Sequence, residues 1–164
     1  ETMGDLNERL TCLTFMEYYK TIFALKDIDA IADIFRDDAI IFVGRPIGSA
    51  PVPKYLGEAV QKVVNMKEYE LVKFSKEEYL GNLESKVFRN PFVNIQFSEM
   101  MIDRRSESKP VFGIQLRQDY YSTNYADVGY LLLFTDNSDS LKPKIFFRCW
   151  QPEKFLDMYD ITID

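Results

Sequence analysis

The sequence predicts an α+β fold, with helices gathered on one face of a curved, mixed but mostly antiparallel sheet. Two observations carry this reading. The first third of the chain places apolar residues at helical spacings of three and four, and the stretch after Pro91 divides into four strand-like runs separated by short turn-forming segments. Connections that short join antiparallel neighbours. With 164 residues and 46% hydrophobic content, the chain can build one core, and residues 1–164 are expected to form a single domain with 1–4 and 153–164 as frayed or extended tails.

In chain order, Asp5 and Glu8 have the spacing of a capping box ahead of a long helix. Its apolar stripe is expected at Leu10, Leu13, Met16, Tyr19, Ile22 and Phe23, with an end near Leu25. Asp27 or Asp29 can cap a second helix carrying Ile28, Ile31, Ile34 and Phe35, which Asp37-Asp38 ends before a β-branched run from Ala39 to Val43. The prolines and glycines between Gly44 and Pro53 predict a loop. Segments 58–64 and 68–74 read either as a hairpin or as a short helix and a strand. Ser75-Lys76-Glu77-Glu78 is a capping box opening a helix with Tyr79, Leu80, Leu83, Val87 and Phe88 on one face. Strands are expected at 92–103, 111–121, 127–136 and 144–151. In the third of these both alternating sets are apolar, Val128, Tyr130, Leu132 and Phe134 against Leu131 and Leu133, so one face takes the helices and the other is expected to take a second copy of the sheet in a homodimer.

Composition narrows the chemistry. No histidine is present, which removes the commonest general base and metal ligand, the Ser-His-Asp and Cys-His nucleophile systems and the HExxH zinc site. A net charge of −6 argues against nucleic acid or an anionic membrane as partner, and no apolar run approaches the ~20 residues a membrane helix requires. Cys12 and Cys149 are too few for a disulfide scaffold and read as buried small hydrophobes. Asp27-x-Asp29 lacks the glycine and terminal glutamate of a calcium loop, and Gly44–Gly48 lacks the lysine of a phosphate cradle. No metal or cofactor is expected. Arg104-Arg105 with Lys109 reads as a solvated turn. The start at Glu1 rather than methionine predicts an exported, processed protein, with the cytoplasm as the alternative.

The stretch from Tyr18-Tyr19 through Asp27-Ile28-Asp29-Ala30-Ile31 to Ile34-Phe35-Arg36-Asp37-Asp38-Ala39 resembles the N-terminal signature of the nuclear transport factor 2-like superfamily. That signature combines a helix with an inward tyrosine, a second helix with spaced aspartates, and Phe-x-Asp-Asp-Ala leading into the first strand. The resemblance extends over nearly all of the chain after about residue 12. It implies a cystatin-like cone, the fold of ketosteroid isomerases, scytalone dehydratase and SnoaL-like cyclases. It also implies that Tyr19 sits where the isomerases bind the enolate oxygen, that their carboxylate base would fall at Val43, and that their protonated acid would fall near Tyr130. Valine cannot abstract a proton, so the resemblance supports the fold and argues against that reaction. Phe147 to Glu153, with Tyr120 to Tyr125, resembles a bacterial branch of the superfamily to which the resemblance attaches no activity.

A cone of this kind encloses a pocket between its first helix and the concave sheet. Candidate ligand-binding residues are Tyr19, Arg117, Asp119, Tyr121, Tyr130, Arg148 and Trp150, and no catalytic residue is assigned. If Arg117, Asp119, Tyr121, Arg148 and Trp150 share one cavity, the arginines can hold an anionic group and Trp150 can stack on a flat apolar body. The alternative is that Arg117 and Asp119 pair on the outer sheet face. The expected function is a small-molecule-binding module with an aromatic pocket. The alternatives are an interaction domain using the outer sheet face and a Tyr/Asp acid-base enzyme of isomerase or cyclase type.

Overall fold

A computed structural model describes residues 3–46, 69–89, 92–123 and 126–155. Helix α1 (Met3–Ala24) buries Cys12, Phe15, Met16, Tyr19, Ile22 and Phe23. The expected stripe is correct from Met16 onward but not before it: Leu10 and Leu13 are 51% and 39% exposed, and Cys12 and Phe15 face inward in their place. Because the chain is already helical at Met3, residues 3 and 4 are not frayed, and Asp5 lies in the first turn, where its charge suits the helix dipole, instead of capping it.

The end of α1 is a Schellman closure. The Asp27 N–H reaches the Ile22 carbonyl at 3.0 Å, the Lys26 N–H reaches that of Phe23 at 3.1 Å, and Lys26 adopts the left-handed conformation at φ 57. Asp27 then serves as N-cap of α2 (Ile28–Ile34), its carboxylate accepting from the Ala30 N–H at 3.1 Å.

Strand β1 (Phe35–Pro46) starts at Phe35 instead of Ala39, so Asp37 and Asp38 lie on a strand and do not stop a helix. Local bonding explains the difference. Lys76 donates to the Phe35 carbonyl and to Asp37, both at 3.0 Å, while Arg36 pairs with Asp38 at 2.6 Å. The strand also runs through Gly44 to Pro46, the start of the expected loop, and pairs antiparallel with β2 (Tyr69–Ser75). The rest of that loop and segment 58–64 lie outside the described residues, as does Pro91. Helix α3 (Lys76–Ser85) opens on the expected capping box: Ser75 Oγ accepts from the Glu78 N–H at 3.2 Å and the Glu78 carboxylate accepts from the Ser75 N–H at 3.1 Å. Tyr79 and Leu83 face the core, and a short turn at Val87–Arg89 follows.

The four later strands, β3 (Val93–Arg104), β4 (Val111–Ser122), β5 (Ala126–Asp136) and β6 (Lys144–Gln151), complete a six-stranded sheet in the order β2-β1-β6-β5-β4-β3. The β1–β6 pair is parallel and the others are antiparallel. A bulge between Ser98 and Met101, with Glu99 at φ 54, breaks the β3 ladder and bends the strand, as such insertions do.

The register divides the sheet into two faces. Phe112, Ile114, Leu116 and Leu131, Leu133 join α1 and α2 in the main core. Leu132 and Phe134 lie on the other face, packed with Cys149, Phe42, Phe146, Phe147 and Phe155 of the same chain. Their burial is thus supplied within the chain and does not itself call for a second copy. Among the described residues no helix is long and apolar enough to cross a membrane.

Candidate functional site

A cavity of about 470 Å³ lies between the concave sheet and the helices. This falls within the range of roughly 300–1,000 Å³ common for small-ligand sites. Its apolar walls come from Phe23 of α1, Val43 of β1, Phe74 of β2, Leu83 of α3 and Ile95 of β3. Its polar groups are Tyr79, Asn82 and Lys86 from the α3 region, Gln118 and Tyr120 of β4, Asp127 of β5, and Arg148 of β6, beside the indole of Trp150.

Arg148 is 6% exposed. Its Nε donates to the Tyr19 hydroxyl at 3.2 Å, and its guanidinium lies 4.9 Å above the Tyr79 ring. Burial works against its charge. The phenolic oxygens of Tyr19 and Tyr79 and the Tyr19 hydrogen bond work the other way, and the net shift is upward, so the group stays cationic. Burial likewise raises the Tyr79 phenol above its ordinary range against the opposing influence of Arg148, so Tyr79 remains a neutral hydroxyl.

Trp150 depends on Gly129. A Cβ at Gly129 would lie 2.5 Å from Cε2 and Cζ2 of the indole and 2.6 Å from its Nε1, so only glycine allows the ring to rest against β5. The Nε1 itself is buried against β5 without a hydrogen-bond acceptor among the described residues.

The expected constellation is split between the two faces of the sheet. Arg148 and Trp150 line the cavity. Tyr19 is fully buried behind Arg148, holding the guanidinium, and is not on the cavity wall. Arg117, Asp119 and Tyr121 stand on the opposite face of β4 from Gln118 and Tyr120. Arg117 Nε bonds Asp119 at 3.0 Å along the strand, which is the outer-face alternative. Tyr130 pairs in register with Arg117 and shares that outer face. The expectation of one shared cavity therefore fails for Arg117, Asp119 and Tyr121, and the separate candidate Tyr130 also stands outside the cavity. The cause is the strict alternation of strand side chains: the apolar set Phe112, Ile114, Leu116 claims the concave side and carries Gln118 and Tyr120 with it. Among the described residues no three His, Cys, Asp or Glu side chains converge as a metal site.

No protein-family model matches the sequence, and no curated protein matches it. Solved structures do. A structure of an NTF2-like protein of unknown function from Pseudomonas putida KT2440 superimposes with a TM-score of 0.58 at 9% identity, covering 93% of this chain and 90% of that one. This is a nuclear transport factor 2-like fold. Bdellovibrio bacteriovorus Bd1075 aligns with a TM-score of 0.63 at 12% identity over 94% of this chain, which spans 44% of the Bd1075 chain. The Orange Carotenoid Protein of Anabaena, in a structure binding canthaxanthin, aligns with a TM-score of 0.53 at 9% identity over 82% of this chain and 34% of that one.

Within the nuclear transport factor 2-like frame, Val43, the position that the resemblance gives to the isomerase base, lies on the cavity wall. Tyr130, the position given to the protonated acid, does not, because the concave side of β5 presents Asp127, Gly129 and Leu131. Asp127, Gln118 and Tyr79 are cavity residues that the sequence reasoning did not single out. The apolar alternation of 111–121 could have found Gln118, and the stripe of the capping-box helix could have found Tyr79.

Proposed function

We propose that this nuclear transport factor 2-like domain binds a small, largely apolar molecule in its cavity. The observation that carries the reading is the wall formed by Arg148 and Trp150, where a buried cation and an indole seated on a glycine stand among aromatic and aliphatic side chains. Apolar walls with few, fixed polar groups are what a small-ligand site requires. The likeness in fold to a protein whose structure contains canthaxanthin lends support.

Trp150 is the sole tryptophan of the chain, so intrinsic fluorescence reports the cavity without labelling. Titration with phenylbutyrate, which does not absorb where tryptophan is excited, is expected to change that emission saturably. In Val43→Phe, which places a ring in the cavity, the response is expected to weaken at least tenfold while the far-ultraviolet spectrum is unchanged. An unaltered titration in Val43→Phe would locate binding elsewhere and refute the proposal.

A further inference from the structure

We infer that the ligand is an anion, a carboxylate carried on a flat apolar body, with its charged end at Arg148; the inference rests on the reading of the cavity as a binding site. The first ground is the pattern of arginine pairing. Arg36, Arg45, Arg104, Arg105 and Arg117 each lie within ion-pair distance of a carboxylate. Arg148, far more deeply buried than the first three and Arg117, has no such partner among the described residues. Buried charges in proteins are ordinarily paired, because withdrawing an ion from water is costly. Here no pairing carboxylate stands among the described residues, and the cation lines a cavity.

The second ground is geometric. The Tyr19 bond occupies Nε, and the guanidinium carbon lies over the Tyr79 ring at 4.9 Å, two contacts that hold the group in place. Among the described residues nothing bonds the two terminal nitrogens. That edge presents parallel N–H groups matched to the two oxygens of a carboxylate, a recognition that lysine cannot reproduce. The third ground is the Trp150 indole two residues along the same strand, whose ring stands on the cavity wall and offers a flat surface. The arginine calls for acceptor atoms on the ligand and the indole for a flat body. Phe23, Phe74, Leu83 and Ile95 call for an apolar remainder. Asp127 is the carboxylate on the cavity wall, and burial together with its charge raises the Tyr120 phenol beside it.

The test compares phenylbutyrate with its neutral isostere phenylbutyramide on the unaltered protein, by calorimetry and by Trp150 fluorescence. The carboxylate is expected to bind at least tenfold more tightly than the amide, and Arg148→Met is expected to reduce that ratio to near one. Equal binding of acid and amide to the parent would overturn the inference while leaving the binding site standing. Saturable binding of neither would overturn the underlying reading and the inference with it. The parent ratio alone decides the matter if Arg148→Met does not fold.

Discussion

Replacing Arg148 by methionine removes a buried guanidinium and keeps an unbranched stem of similar length. Three effects set the outcome for stability. Removing the cation relieves a desolvation cost of several kcal/mol. Against this, the bond from Nε to the Tyr19 hydroxyl is lost, a charged hydrogen bond contributing about 1.5–3 kcal/mol. The contact 4.9 Å above the Tyr79 ring is lost too, a cation–π interaction of about 0.5–2 kcal/mol. The opposing effects are of equal size, and Arg148→Met is expected to unfold in urea within about 1 kcal/mol of the parent, a melting shift of no more than about 2–4 °C. An arginine whose role was structural would behave differently, since breaking a buried pair costs about 3–5 kcal/mol. A loss of about 3 kcal/mol or more without ligand would therefore refute this balance and show that Arg148 also holds the fold together.

Other variants test the surrounding parts. Gly129→Ala sets a methyl group 2.5 Å from the indole, so the ring must move; the expected cost is about 1–3 kcal/mol, with a shifted Trp150 emission maximum, and an unshifted spectrum would show that the ring is not where it is described. Ser75→Ala removes the hydroxyl that accepts from the Glu78 N–H, leaving the Ser75 N–H to the Glu78 carboxylate, and should lower stability by about 1 kcal/mol in urea unfolding, whereas no change would remove the cap from consideration. Lys26→Gly relieves a left-handed side chain at the Schellman position and should raise stability by about 1 kcal/mol; a decrease would contradict the helix closure. Burial pushes the Cys12 and Cys149 thiols up to about 11 from 9.0, so both stay protonated in the folded chain where the unfolded chain begins to ionise. Their contribution to stability is present below about pH 9 and lost as pH rises toward 11, and a thiol reagent at pH 8 should react with both only after denaturation.

How much of the molecule could be read in advance depended on whether the deciding force was local. The capping box at Ser75 and the cap at Asp27 are local hydrogen-bond patterns, and both formed where the sequence placed them. The four strands after residue 92 matched within a residue or two, because each is bounded by turn chemistry. The Asp5–Glu8 box is a local pattern that did not form, and the other errors came from long-range packing. Leu10 and Leu13 satisfy the helical period as well as Cys12 and Phe15 do, and only the position of the sheet decides between them. Asp37 and Asp38 read as a helix stop until Lys76, on a distant helix, bonds this stretch as strand.

The site followed the same rule. Arg148 and Trp150 were legible as candidates, since a tryptophan and an arginine alternate with apolar residues on the last strand. Arg117 and Asp119 also drew attention by their chemistry. Their neighbours Ile114 and Leu116, both fully buried, had the stronger claim on the concave face. Where polar chemistry and apolar alternation point to opposite faces of one strand, burial decides, and it sent Arg117 outward. Tyr19 stood out for a different role from the one it fills, since its hydroxyl orients Arg148 from behind instead of meeting a ligand. The role of Gly129 was invisible, because the space it provides is needed only by a ring from the neighbouring strand.

Since Trp150 is the sole tryptophan of the chain, a proton–nitrogen correlation spectrum contains one indole N–H signal, from a ring on the cavity wall. Adding phenylbutyrate is expected to move that signal saturably, together with the Nε–H of Arg148, and phenylbutyramide to move both only at concentrations at least tenfold higher. An indole signal that stays in place while phenylbutyrate binds, or that responds equally to acid and amide, would contradict an anion site built on Arg148 and Trp150.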